Sequence, residues 1–129
     1  HRGTKELAQR VDYLVASSRF ARDWCGRDDM DAVLRQLSEQ AAHVVITRGA
    51  DGLLWARDGE TGALPAFDVA VVDSTGAGDA FHGAFALGVA RKMAWDELLR
   101  FASAAGALTC TRLGARPGLP RASEVEALL

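Results

Sequence analysis

Residues 71–81 read Val-Val-Asp-Ser-Thr-Gly-Ala-Gly-Asp-Ala-Phe, an apolar run that ends in a glycine-rich turn and reopens as a helical pattern. A strand that hands its chain to a helix through glycines indicates an α/β layered fold, because the helix must pack back against a sheet. Glycines at such a turn leave successive N–H groups unobstructed and let a ligand approach the backbone. The first N–H groups of the helix have no partner inside it, and with a dipole of about half a unit charge they form an anion site. A phosphate, or charge developing on a phosphoryl group in transfer, is the natural occupant.

Two familiar glycine motifs fail against this turn. A dinucleotide fingerprint needs G-x-G-x-x-G, but Gly76 and Gly78 are followed only by Gly83. A P-loop needs Lys-Ser/Thr after its last glycine, where Ala84 and Phe85 stand instead. What remains is an anion hole with a carboxylate, Asp79, in the first helical turn. A carboxylate beside a phosphate repels it. Either Asp79 is a general base for a substrate hydroxyl, or it complements the helix dipole as first-turn acids often do. The residue types alone leave both readings open.

The rest of the chain alternates strand and helix patterns. A helix is expected over residues 4–11, a buried strand over 13–16, and a helix carrying Phe20, Ala21 and Trp24 before Gly26. Asp28 or Asp29 can cap the next helix, with Met30, Val33, Leu34 and Leu37 as its apolar stripe. The β-branched run 43–47 predicts a strand of the kind covered on both faces in parallel sheets, followed by a turn over 48–52. A strand over 53–56, a hairpin loop over 58–62 and an extended segment from Pro65 to Val72 come next. Helices are expected over 76–91, 95–111 and 122–129. Phe20 and Trp24 are expected to pack on the strand as core.

Of the 129 residues 49% are hydrophobic and 25% charged, with 15 Lys+Arg against 17 Asp+Glu, which suits one soluble domain. Without a basic block or an apolar stretch of about 20 residues, neither nucleic acid nor a membrane is expected as partner. A cytoplasmic location follows as the expectation. Cys25 and Cys110 are too few for a disulfide scaffold and lack metal-ligand spacing to His1, His43 and His82, so both read as buried thiols. The chain opens on His1 rather than Met, and few strands are available for a full doubly wound sheet, so a fragment of a larger domain is expected.

The run D-S-T-G-A-G-D-A-F-H-G-A-F resembles the second signature of the PfkB, or ribokinase-like, family of carbohydrate and nucleoside kinases. The similarity continues through V-V-I-T-R-G-A-D-G upstream and L-R-F-A-S-A-A-G-A-L and T-R-L-G-A-R-P-G-L-P downstream, in the family's order. It implies part of a ribokinase-like three-layer α/β fold with a mostly parallel sheet flanked by helices. It also implies that residues 1–129 form the C-terminal portion of the kinase domain, with the N-terminal substrate and lid portion absent. The implied activity is ATP-dependent phosphorylation of a hydroxyl on a sugar, nucleoside or sugar-like molecule.

By the same resemblance Asp79 is the catalytic base, and Gly76, Ala77 and Gly78 are the anion hole. Thr47, Gly49 and Gly52 match the turn that contacts nucleotide phosphates, and Ser103 the position beside the adenine. Ordinary strand-to-strand turn chemistry at the first three, and close helix packing through Ala104, Ala105 and Gly106, are the alternatives. A monovalent cation, potassium, is implied at Asp73, Thr75, Thr109, Arg112, Gly114 and Gly118, mostly through backbone carbonyls. The family's N-x-x-E, which organises Mg2+ with ATP, aligns with Ser17-Ser18-Arg19-Phe20, where both polar ligands are missing. The second reading is therefore a truncated or degenerate, non-catalytic nucleotide-binding module. Association with the missing N-terminal part, or with a second copy, is expected of a half-domain with uncovered sheet edges.

Overall fold

The apolar residues 13–16 lie in a strand, β1 (Val11–Ser17), that runs parallel to β2 (Ala41–Thr47), with Leu14 opposite Val44 and Ala16 opposite Ile46. A computed structural model describes residues 11–69 and 76–111. Between the two strands the chain crosses one face through α1 (Ser18–Cys25) and α2 (Met30–Ser38). Ser17 caps α1 by accepting a hydrogen bond from the Phe20 amide, and Gly26 ends it with φ of 67°. Asp29 caps α2, accepting from the Asp31 amide. The expected stripe holds: Val33, Leu34 and Leu37 are buried, and Met30 packs beside them. They meet Ala16, Val44, Ile46 and Ala56 in one apolar layer, where each fully buried large side chain contributes roughly 1.5–3 kcal/mol.

After β2, a single 3-10 turn over Gly49–Asp51 leads into β3 (Leu53–Arg57), which pairs antiparallel with β2 and then with β4 (Glu60–Leu64). The α/β arrangement stands as expected. The four described strands form a mixed sheet in the order β1-β2-β3-β4, its one parallel pair being β1 with β2. The hairpin supplies the antiparallel pairs. Its loop is shorter than residues 58–62, because only Asp58 and Gly59 turn, with φ of 51° and 81°. Positive φ at both central residues suits the twist of a two-residue hairpin, so Glu60, Thr61 and Gly62 remain in the ladder.

A second unit begins at Ala66. It contains α3 (Ala77–Ala90) and α4 (Trp95–Cys110), two helices joined by four residues and packed together. Phe81 stacks on Phe85, which meets Trp95 edge to face. Phe101, Ala104 and Ala105 of α4 form a core with Ala80. Gly88 has no side chain because Leu98 occupies the space a Cβ would need.

Three expectations change. Val11 begins β1 rather than ending a helix, and residues 4–10 lie outside the described residues. Phe20 and Trp24 are 57% and 60% exposed rather than core. Only Ala21 of the eight-residue α1 is buried, and the two aromatics, one turn apart, stack on each other instead. Cys25 and Cys110 are half-buried rather than buried. Burial pushes the Cys25 thiol pKa up, with Arg27 pulling the other way. The strand expected up to Val72 falls partly, and the helix 122–129 wholly, outside the described residues.

Gly62 gives the fold a direct test. A Cβ there would sit 2.5 Å from the Trp55 indole across the ladder, and a rigid ring cannot yield as an aliphatic tip can. Gly62→Ala should lower stability in urea unfolding by about 1–3 kcal/mol. An unchanged midpoint would show that the indole does not lie across β4.

Candidate active site

The turn after β2 is built by backbone geometry. Thr47 closes β2 opposite Ser17 of the parallel strand, so both residues stand at carboxyl ends, the side of an open α/β sheet where ligands bind. Arg48 donates its amide to the Gly52 carbonyl at 2.8 Å and its guanidinium to the Asp51 carbonyl at 2.9 Å. Gly49 has φ of 59° and Gly52 has φ of 84° with ψ of -141°, backbone conformations that cost a residue with a Cβ. Thr47 is half-buried and Gly49 exposed.

The second feature is the start of α3. Gly76 is its N-cap, with φ of 81° and ψ of 0° and no side-chain cap. The first intrahelical bond runs from the Ala80 amide to the Gly76 carbonyl at 2.9 Å, so helix geometry leaves the amides of Gly76, Ala77, Gly78 and Asp79 without a partner inside α3. Gly78 is exposed, and a Cβ there would meet nothing within 4 Å. Asp79 is exposed in this first turn, and among the described residues no hydrogen bond or ion pair engages its carboxylate. Donors for an anion and a carboxylate able to accept a proton therefore share one helical turn.

In the same unit, α4 approaches this turn at Gly106, where a Cβ would lie 3.3 Å from the Ala77 carbonyl. Ser103, half-buried and one turn earlier, lies on the adjoining stripe of α4. Ala104 and Ala105 are core residues, so the packing alternative holds for them. Thr109 is fully buried and donates its hydroxyl to the Ala105 carbonyl at 3.1 Å. Its main-chain carbonyl lies in the last turn of α4, where the helix dipole favours positive charge. Asp73, Thr75, Arg112, Gly114 and Gly118 lie outside the described residues.

The positions aligned with the magnesium-organising pair do not fit that role. Ser17 presents a short neutral hydroxyl that already accepts from the Phe20 amide at 3.1 Å, and Phe20 offers no ligand atom. No group of three or more His, Cys, Asp or Glu able to hold a metal occurs among the described residues. No described helix is long and apolar enough to cross a membrane. One residue escaped the sequence reading: His82, whose Nδ1 lies 2.7 Å from the Gly78 carbonyl. Its spacing of four from Gly78 was the available signal.

Comparison with known proteins gives a consistent result. A family model described as pfkB family carbohydrate kinase matches residues 2–122. The ribokinase of Lactococcus lactis is 34% identical over 125 residues, which cover 96% of this chain and 40% of that protein. Fructokinase-1 of rice is 35% identical over 105 residues, covering 76% of this chain and 32% of the relative. Among solved structures, Arabidopsis thaliana ribokinase complexed with ribose and ATP superposes with a TM-score of 0.86 at 28% identity, covering 96% of this chain and 42% of that one. The chain thus spans well under half the length of these relatives.

Gly76 carries the geometry of the turn. Gly76→Ala places a Cβ in the left-handed region, at a cost of roughly 1–2 kcal/mol, and should lower the melting temperature measurably. Melting unchanged from the parent would mean that α3 can start without this turn.

Proposed function

The chain belongs to the pfkB family of carbohydrate kinases, and from that premise we propose that it is the C-terminal portion of an ATP-dependent phosphotransferase acting on a hydroxyl of a sugar or sugar-like molecule. The observation that carries this reading is the first turn of α3, where amides without a partner inside the helix stand together with an Asp79 carboxylate that no described residue engages. Asp79 takes the proton from the substrate hydroxyl as its oxygen attacks the terminal phosphorus of ATP. The bond from that phosphorus to the bridging oxygen breaks, ADP leaves, and the proton stays on Asp79. Charge developing on the transferred group meets the amides of Gly76, Ala77 and Gly78, which need no reorientation because helix and turn hold them. Thr47, Gly49 and Gly52 are proposed as contacts to the nucleotide phosphates, and Ser103 as a contact to its base.

A potassium ion, when bound, supplies fixed positive charge behind the anion hole. Asp73, Thr75, Thr109, Arg112, Gly114 and Gly118 are its proposed ligands, Thr109 through its carbonyl. Mg2+ is expected with ATP, but Ser17 and Phe20 do not fit as its organisers, and no step is assigned through it. That misfit favours the second reading, a module that binds nucleotide without transferring phosphate.

Asp79→Asn in the complete protein separates the two. It keeps size and hydrogen bonding, so a catalytic Asp79 predicts turnover lower by about two to four decades. ATP affinity should hold or rise as a negative charge near the phosphates is removed. Near-normal turnover would refute the base, and a parent protein that binds ADP in calorimetry but turns over no sugar would establish the binding module. For the cation, exchanging potassium for lithium at matched ionic strength should lower the melting temperature. Equal melting in both salts counts against that site.

A further inference from the structure

The Nδ1 of His82 lies 2.7 Å from the Gly78 carbonyl, one helical turn back and immediately before Asp79. A carbonyl oxygen only accepts, so the ring nitrogen must carry a proton and donate. The His82 main-chain amide reaches the same carbonyl in helix geometry, so the Gly78 oxygen receives two donors from one residue. The other end of that peptide unit is the Asp79 N–H, one of the first-turn amides left without a helical partner.

We propose that His82 is a positioning residue for phosphate binding: it fixes and polarises the Gly78–Asp79 peptide and so aims the Asp79 amide at the bound anion. The proposal rests on the reading of this turn as a phosphate site. The peptide group is planar, so holding its oxygen holds its N–H and the Asp79 Cα in the same plane. Hydrogen bonds accepted by the carbonyl strengthen the N–H as a donor. The segment needs such a tie: Gly76 and Gly78 bring backbone freedom, and Gly78 has no side chain to pack. His82 is exposed, and its ring meets Phe81 edge-on at 6.4 Å, while Phe81 is buried and stacked on Phe85 at 6.2 Å. A path of rigid rings thus runs from the core of the second unit to the peptide before Asp79.

Two variants separate positioning from packing. His82→Phe keeps an aromatic ring and removes the donor. His82→Asn restores a donor at the δ position, where the imidazole Nδ1 stands. ADP affinity of the chain, titrated by calorimetry, should fall about three- to tenfold in His82→Phe, as loss of one hydrogen bond implies. In His82→Asn it should stay within about twofold of the parent, with all three proteins melting alike. Equal affinity in the Phe variant and a binding parent would overturn the positioning role and leave the phosphate site standing. Equal loss in both variants would overturn it as well, because the restored donor would have restored nothing. A folded parent that binds no ADP would overturn site and positioning together. Nitrogen-15 NMR of the parent gives a readout that does not depend on variants: the neutral ring should be the Nδ1–H tautomer. The Nε2–H tautomer would leave Nδ1 an acceptor, and the proposal would fall.

Discussion

The start of α3 is set by its close approach to α4 at Gly106. There α4 comes so near the start of α3 that a methyl group would press on the Ala77 carbonyl at 3.3 Å. A larger residue would force the two helices apart at the end where α3 emerges from Gly76. Close approach there leaves the Phe101, Ala104 and Ala105 core continuous with Ala80, a residue of the same first turn. The anion-binding geometry proposed for this turn is therefore a consequence of helix packing as much as of the glycines in the turn itself. Interiors are dense enough that a small shift at one end is felt along the interface.

Much of the architecture was legible because its periods are clean. The β-branched residues 44–47 favour a strand, and Met30, Val33, Leu34 and Leu37 fall on one helical stripe. The hairpin was legible in kind and not in length. Glu60 and Thr61 are exposed polar residues that resemble a loop, yet their backbones pair with Arg57 and Ala56. Phe20 and Trp24 show the complementary failure: spacing identifies the helix but does not reveal whether a neighbour covers its apolar side, and both rings stay more than half exposed. The space above Gly62 is filled by Trp55, a partner set by strand register rather than by local sequence.

The candidate site divides along the same line. Gly76, Gly78 and Asp79 stood out because glycines and a carboxylate beside a helix start form a local pattern. The positive φ of Gly76, Gly49 and Gly52 agrees with their being glycine. Thr109 was legible only as a position, because its hydroxyl belongs to the Ala105 carbonyl, an internal helix bond that spacing does not announce. His82 was missed for a similar reason, since a side chain that turns back on its own helix leaves no mark in the apolar pattern.

The energetics of the α3 start favour a functional account over a structural one. A side chain chosen for stability would cap the helix, yet Gly76 offers none, and Asp79, at the third helical position, makes no side-chain cap bond. That bond is what a reciprocal capping arrangement would provide. Complementing the dipole then remains as its structural contribution, about 0.3–1 kcal/mol at an exposed site and less in salt. Against this stand Gly78 and Gly83, both open to a Cβ and both inside α3, where each glycine costs roughly 0.5–1 kcal/mol relative to alanine. The segment is thus less stable than a simple Ala-rich start with a Ser cap would make it. What it keeps in exchange is bare, correctly turned backbone beside a carboxylate, and binding an anion next to a proton acceptor is a use that this combination serves and a cap does not.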